Sequence, residues 1–439
     1  MPPALLALLL LLPALNAAAD TGRMLLQGGR VISGTLQAAD EATLTLQPRW
    51  SPGASIPFPA DELHFLRRIS PGKDQRFSAS AWLLRLHHGD SLNASALEMQ
   101  EGILLATHPE LGELRIPRAQ VQQLMYRPHL PQVLLWEPPP PDQWIFQHHH
   151  AAPPEMVHAA RGWIARGAGN HALEISHWPD LFVLQLELQV QTHLQLQISH
   201  QASHPNLNQS QNPVLTLFPN RVQAVAPRPN PRHPTHIMRQ TIWQEGVQQG
   251  LGRTVSLELF VDQNKGDHFL VLNGALFKSW NEKGPKRDAD ADVPSWLVIA
   301  NQNQQSFQIS HLRLQEWDGI PPTPHPLRPA GERDHLQLRN GERVIGEVTA
   351  IDADHLHLQQ PDGETRLIPL NLLREAALAH VPLPQQSPNR FRLTLQGAET
   401  VLTLSSFAVE GPEARVTSPN LAHPVQIPMS QLHLLERIQ

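Results

Sequence analysis

Apolar and polar residues alternate along most of this chain. Leu184, Leu186, Leu188 and Val190 fall on one side of a run while Gln185, Glu187 and Gln189 fall on the other, and Val255, Leu257, Leu259 and Val261 repeat the pattern. A two-residue period is that of a strand with one buried and one wet face, so it predicts antiparallel sheets. From Leu336 to Pro369 shorter alternating runs are divided by glycines: Leu336 and Leu338, then Val344, Val348 and Ile351, then Leu356 and Leu358. These read as short strands joined by turns. Helical spacing has almost no support across residues 144–318, and the fold is expected to be all-β.

The glycine-bearing run recurs. An ungapped offset of 312 residues aligns Leu338 with Leu26, Gly341 with Gly29, Gly346 with Gly34, Val348 with Leu36 and Asp352 with Asp40. The same offset continues through Leu356 and Leu44, Leu358 and Leu46, Ile368 and Ile56, and Pro369 and Pro57. Chance matching of apolar residues would not sustain this. An offset of 60 from the first copy finds another, with Leu86, Gly89, Leu104, Ile116 and Pro117 in place and Ala94 where a glycine is expected. A looser copy closes the chain, from Leu393 through Gly397 and Leu402 to Ile427 and Pro428.

Asn340-Gly341 is a two-residue hairpin signal, since both residues tolerate positive φ. A unit of about 45 residues with five short strands is too small to shield the edges of an open sheet, so closure into a small barrel is expected. The run Leu338, Gly341, Gly346, Val348, Asp352, Leu356, Leu358 resembles the first motif of Sm-like small barrels. In that family an Asn beside a Met after the motif's Asp, and an Arg-Gly in a second motif, imply RNA binding. Here Asp352 is followed by Ala353, Asp354, His355 and Leu356, and Ile368-Pro369 replaces the second motif. The resemblance therefore implies a structural or protein-binding barrel, and no nucleic acid is expected as a partner.

The copies bracket a longer segment. Residues 1–19, with the leucine run Leu5 to Leu12 and Ala17-Ala18-Ala19, read as a secretory signal peptide. No Lys or Arg precedes the leucines, which leaves an uncleaved anchor as the alternative, and the lack of a Cys after the cleavage point excludes a lipid anchor. The expected plan is then small barrels over 20–70 and 78–127, a Pro-rich linker over 128–143, a sandwich over 144–318, a second Pro-rich linker over 319–333, and small barrels over 334–378 and 390–439. Pro227 to Pro234, inside the sandwich, read as a long loop. Each barrel buries little core alone, so sequence neighbours, the first with the second and the third with the fourth, are expected to pack together. The Pro-rich linkers and the interposed sandwich argue against a ring of barrels within one chain.

Strands with one wet face over residues 144–318 predict an antiparallel sandwich. The segment Ser256 to Trp280 gives strand, loop, strand, Asn273-Gly274 turn and strand, and with Ser306 to Gly319 it resembles the laminin-G and concanavalin A-like jelly roll. Domains of that type often accompany bacterial sugar-degrading proteins, some of them hydrolases acting on oxidised disaccharides. The fold class is thus a central jelly-roll β-sandwich flanked on each side by two small Sm-like or SH3-like barrels.

Composition narrows the chemistry. The net charge is −6, so no basic field exists to attract nucleic acid or anionic membrane, and zero Cys excludes disulfides, thiol catalysis and Cys-zinc sites. The sandwich-hydrolase pattern Glu-x-Asp-x-x-Glu is absent: Glu316-Trp317-Asp318 is the nearest string, and Pro321 stands where the second Glu belongs. Glu187 and Glu258 fall at polar positions of alternating strands, where a solvated face is the plain reading and a glycosidase pair the alternative. Asp288, Asp290 and Asp292 alternate as a calcium loop begins, yet Val293 and Ile299 occupy the places of its Gly and Glu, so calcium is only a weak candidate. His148-His149-His150 has no spacing that fixes metal geometry, and no Gly-x-Ser-x-Gly elbow or phosphate-binding loop occurs. Of Trp163, Trp178, Trp243, Trp280 and Trp296, any in an exposed loop could stack on a sugar, but most aromatics in a sandwich are core. No catalytic, cofactor-binding or metal residue is assigned. The expectation is an exported, non-catalytic binding or scaffolding protein of the cell envelope, periplasmic, cell-surface or secreted, not inserted in the membrane after cleavage. Its partners would be a glycan or an envelope protein, and the alternative is a sugar-processing hydrolase built on the sandwich.

Overall fold

The computed structural model describes residues 22–26, 31–40, 42–51, 53–68, 81–127, 133–135, 139, 141–148, 155–158, 162–190, 195–207, 209, 212–230, 233–247, 250–282, 295–302, 306–322, 327–329, 332–379, 391–395, 400–410 and 412–438. Residues 1–19, Asp288 to Asp292, His149 and His150 lie outside them. The described residues form antiparallel sheets joined by turns and short 3-10 segments, with no α-helix among them. Two compact units result: one from residues 1–130 and 327–439, the other from Pro131–Pro326.

The first unit holds four small barrels of one plan. In the third, the strands Asp334–Leu338, Arg343–Ile351, His355–Gln359 and Thr365–Pro369 are followed by a 3-10 turn, Leu370–Leu372, and a last strand, Leu373–Ala377. The first strand pairs with the second and the last, and the second bends across to pair with the third. That bend explains the repeated glycine. A Cβ on Gly346 would lie 2.5 Å from the Gln359 carbonyl oxygen, and one on Gly34 would lie 2.2 Å from that of Gln47. Where the residue carries a side chain, the strand breaks instead. In the second barrel the bend falls between Ser91–Ala94 and Ala96–Gln100, and in the fourth between Val401–Leu404 and Ser406–Glu410. Ser95 then donates both N–H and Oγ to the Thr107 carbonyl (2.8 and 3.1 Å), and Ser405 does the same to Thr417 (2.9 and 3.2 Å).

Asp40 and Asp352 shape the same turn. Asp352 Oδ1 accepts from the N–H groups of Asp354 and His355, as Asp40 Oδ1 does from Ala42 and Thr43. The Asn340-Gly341 site differs from the two-residue turn expected: Leu338 N–H donates to the Glu342 carbonyl, and only Gly341 has positive φ (88°). The repeat register also shifts after the third strand. Leu356 pairs with Ile368 but Leu44 pairs with Phe58, so Pro369 is equivalent to Pro59, two residues beyond the Pro57 that the ungapped offset selects. A two-residue slip keeps every side chain on its own face, which is why the offset hid it.

Among the described residues, sequence neighbours do not pair. The last strand of the first barrel, Leu63–Arg68, pairs with that of the fourth, Leu432–Arg437, and the last strand of the second, Val121–Tyr126, pairs with that of the third. The second and fourth also meet, at Ser91 and Val401. Each barrel's own fold leaves its last strand open on one side, and side-chain complementarity rather than chain proximity selects what closes it. Between the second and third barrels Arg118 forks onto both oxygens of Asp334 at 2.7 Å, and Asp334 also accepts from the N–H groups of Val348 and Ala379. Between the second and fourth, buried Asp90 accepts from Thr403 N–H, Thr403 Oγ1 and Asn420 Nδ2, and His108 meets Thr400 Oγ1 at 2.8 Å. Burial pushes the Asp90 carboxyl up, and these donors pull it partly back. Buried residues of all four barrels form one continuous apolar cluster.

The second unit is the sandwich. One sheet runs in the order Glu155–His158, Trp163–Arg166, Phe307–Glu316, Leu181–Val190, Thr254–Asp262, Asp267–Leu272, Ala275–Asn281. The other runs Trp144–His148, Gly169–Ile175, Ser295–Asn301, Leu196–Ala202, Val214–Phe218, Arg221–Asn230, His233–Gly246. Leu184, Leu186, Leu257 and Leu259 of the first sheet pack with Ile198, Leu215, Leu217 and Ile299 of the second in a shared core. Val133–Leu135, inside the stretch read as a spacer, is a strand on Phe307–Glu316. The described residues of Pro227 to Pro234 lie in two paired strands rather than a long loop, with Asn230 opposite His233. Pro227 and Pro229 fit because Val214–Phe218 pairs only as far as Val225, leaving their nitrogens an open edge.

Candidate functional site

The outer face of the first sandwich sheet gathers the chemistry. The core takes Leu184, Leu186, Leu257, Leu259, Leu312 and Leu314, so period-two alternation turns Gln185, Glu187, Glu258, His311, Arg313 and Gln315 outward together. Three central strands supply them. Gln185 stands between Glu258 on one neighbour and Arg313 on the other, and Glu187 stands opposite His311. Gln185 Nε2 donates to Glu258 Oε2 at 3.1 Å, and Ser310 Oγ donates to Glu187 Oε1 at 2.7 Å. Arg313 and Gln315 are buried within this row, while Gln185, Glu187, Glu258 and His311 are half-buried.

Aromatic surface continues the row. Phe260 and Phe269 are cross-strand partners on the same face, and the Trp317 ring meets both edge-on, at 5.5 and 5.8 Å between centroids. Trp317 Nε1 donates to the Ile320 carbonyl (3.0 Å) and Asp318 accepts from Ile320 N–H, so Glu316-Trp317-Asp318 closes a turn beside the platform. All three aromatic rings are half-buried. Half-buried planar amide and carboxylate groups next to apolar rings form a surface for a ligand with both hydroxyl edges and C–H faces.

Glu187 and Glu258 sit diagonally on adjacent strands, because Gln185 faces Glu258 and Glu187 faces Ser256. Diagonal neighbours stand about 7–8 Å apart. Paired glycosidase carboxyls stand about 5–10 Å apart, a separation that side chains on this backbone spacing can reach. Each of the two is held by its own hydrogen bond, to Ser310 and to Gln185.

The other sequence candidates go elsewhere. Trp163, Trp178 and Trp296 are buried, and Trp243 and Trp280 are half-buried between the sheets, 5.2 Å apart by centroid. Trp280 stacks on His268 at 4.9 Å, and His268 lies 5.6 Å from His200. Burial holds the His200 imidazole down at about 3 and His171 at about 4, and lowers His268 as well. His171 is wedged between Phe146 and Phe307, and neither ring nitrogen finds a hydrogen-bond partner. These histidines are packing groups. Among the described residues no three His, Cys, Asp or Glu side chains are placed to hold a metal ion. Sequence reading missed Arg313 and Gln315, whose strand is remote in the chain from Gln185; the alternation around Leu312 and Leu314 was the available signal. No described helix is long and apolar enough to cross a membrane.

No protein-family model and no curated protein matches the chain. Among solved structures, a carbohydrate-binding module from Bacillus subtilis is similar at 7% identity and a TM-score of 0.29, covering 40% of this chain and 96% of its own. A legume lectin-like domain from Entamoeba histolytica is similar at 11% and 0.30, covering 42% and 97%. An endo-β-galactosidase from Clostridium perfringens is similar at 9% and 0.28, covering 71% and 96%. Likeness of this degree bears on no residue of the platform, whose geometry stands by itself.

Proposed function

We propose that this chain is an exported, non-catalytic binding or scaffolding protein of the cell envelope, whose sandwich binds carbohydrate on the outer face of the sheet carrying Gln185. One observation carries the reading: a row of half-buried planar polar side chains, Gln185, Glu187 and Glu258, abuts the Phe260, Phe269 and Trp317 rings on one sheet face. Sugar hydroxyls ask for paired donors and acceptors, and the apolar side of a sugar ring asks for an aromatic surface. The four barrels would carry the sandwich and meet protein partners, with no role in nucleic-acid binding. A glycan array probed with the full chain tests the reading. Binding to at least one glycan, reduced about tenfold or more by Gln185→Ala through loss of a hydrogen-bonding group at the centre of the row, supports it; silence across the array contradicts it. Export is tested by the mature N-terminus, which should be Asp20; retention of Met1 in the exported protein would refute cleavage.

The diagonal pair Glu187 and Glu258 favours a second reading, a sugar-processing hydrolase. Turnover of a glycoside by the wild type, abolished by either Glu187→Gln or Glu258→Gln, would replace the binding reading with this one.

A further inference from the structure

We infer that the chain forms a two-fold dimer in which the fourth strand of the third barrel, Thr365–Pro369, pairs antiparallel with the same strand of a second copy. This strand pairs on one side with His355–Gln359, and among the described residues nothing pairs with its other side. An open edge is usually blunted by charge or proline. Two barrels follow that rule, and a third places an uncharged polar residue there. The residues facing outward at the equivalent place are Pro57, Arg115 and Gln426, as fixed by the matched pairs Leu44 with Phe58, Leu104 with Ile116, and Ala414 with Ile427. The third barrel instead carries Leu367 there, 52% exposed. The 3-10 turn after it repeats the contrast: Glu62, Gln120 and Gln431 end that turn in the other barrels, and Leu372, 44% exposed, ends it in the third.

The choice of a second copy as occupant comes from how these barrels already associate. Among the described residues, every strand pairing between barrels joins a position to its own repeat equivalent. Leu124 meets Ala376, Leu66 meets Leu435, Met99 meets Ile351, Ala39 meets Val409 and Ser91 meets Val401. Each is a local two-fold, and the side chains of Leu124, Ala376, Leu66 and Leu435 are buried by it. The equivalent edge of the second barrel is already engaged, since Arg115 O accepts from Ala422 N–H of the fourth barrel at 2.9 Å. The third barrel's edge is continuous, through Leu370–Leu372, with the last strand that pairs with the second barrel. Edge pairing about Leu367 would set it against its mate, bury both Leu372 side chains and satisfy the free backbone groups.

Sedimentation velocity on the full chain tests this. The mass should rise from monomer towards dimer between about 1 and about 100 µM, the range suited to a small interface. The double variant Leu367→Arg, Leu372→Gln, which borrows the residues of the second barrel and so suits the fold, should stay monomeric throughout. A second readout does not depend on that variant folding. The chain has no Cys, so a Leu367→Cys chain can form a disulfide only with another copy, and directly opposed strand residues lie about 4.5–5.5 Å apart, within disulfide reach. It should cross-link on mild oxidation while Arg115→Cys does not. A wild type that is monomeric across the range, a double variant that dimerises as the wild type does, or a Leu367→Cys chain that stays single overturns the inference.

Discussion

His171 shows how one residue sets the acid response of the sandwich. Its ring is enclosed by Phe146 and Phe307 with both nitrogens unpartnered, and burial holds it at about 4. Because the folded value lies below the ordinary one, the neutral form is favoured on folding. That contribution is complete above pH 6.5 and is lost as pH falls from there towards 4. The loss is on the order of 3 kcal/mol from this residue, and His200, held at about 3, adds a loss of the same sign. Urea unfolding followed by tryptophan fluorescence at pH 7 and pH 4.5 should show a clear drop for the wild type and a smaller one for His171→Leu. Equal drops would mean that His171 is not the group that titrates. Asp90 has the opposite sign: its carboxyl is raised by burial, so it favours folding at acid pH and loses that contribution as pH rises through its folded value.

At the scale of elements, the bent second strand yields a test that the chain itself has designed. Gly346→Ala should cost about 1–3 kcal/mol, because the new Cβ meets the Gln359 carbonyl and the Leu358 side chain. Adding Glu347→Ser should recover part of it, since Ser95 follows Ala94 in the second barrel and bridges the broken strand there. No recovery in thermal melts would break the explanation of the repeated glycine. The joint between barrels offers another. Arg118→Ala leaves the Asp334 carboxylate buried without its cation and should cost about 3–5 kcal/mol, whereas Arg118→Ala with Asp334→Asn, which removes the buried charge and keeps an oxygen to accept from backbone N–H, should cost less. If the single and double variants unfold at the same denaturant concentration, the pair is not what joins the second and third barrels. Much at this scale was legible in the sequence. Period-two alternation marked Leu184 to Val190 and Val255 to Val261 as strands, and Gly34 and Gly346 stood out as repeated glycines, although not as bends within one strand. The two-residue slip at Pro59 was not legible, because it preserves alternation, nor was the strand pairing within Pro227 to Pro234, where the open edge that tolerates proline depends on the length of a neighbouring strand.

At the scale of the molecule, sequence showed four copies of a unit but not which copies would meet. Open last strands are common to all four, and the selection between them lies in contacts such as Arg118 with Asp334 and Asp90 with Thr403 and Asn420, each spanning more than 200 positions of chain. The candidate platform was half legible for the same reason. Gln185, Glu187 and Glu258 read as polar strand positions, but Arg313, Gln315 and the Trp317 contact with Phe260 and Phe269 depend on Phe307–Glu316 lying beside Leu181–Val190. A polar face bordered by aromatic rings is the basis for reading the sandwich as the binding part of the chain and the barrels as its carrier. Hydrogen–deuterium exchange of the full chain, with and without a glycan selected on the array, tests that division most directly. Protection should rise across residues 183–189, 254–260 and 308–317 and stay unchanged in the four barrels. Protection confined to a barrel, or to the sheet holding Leu196–Ala202, would contradict it.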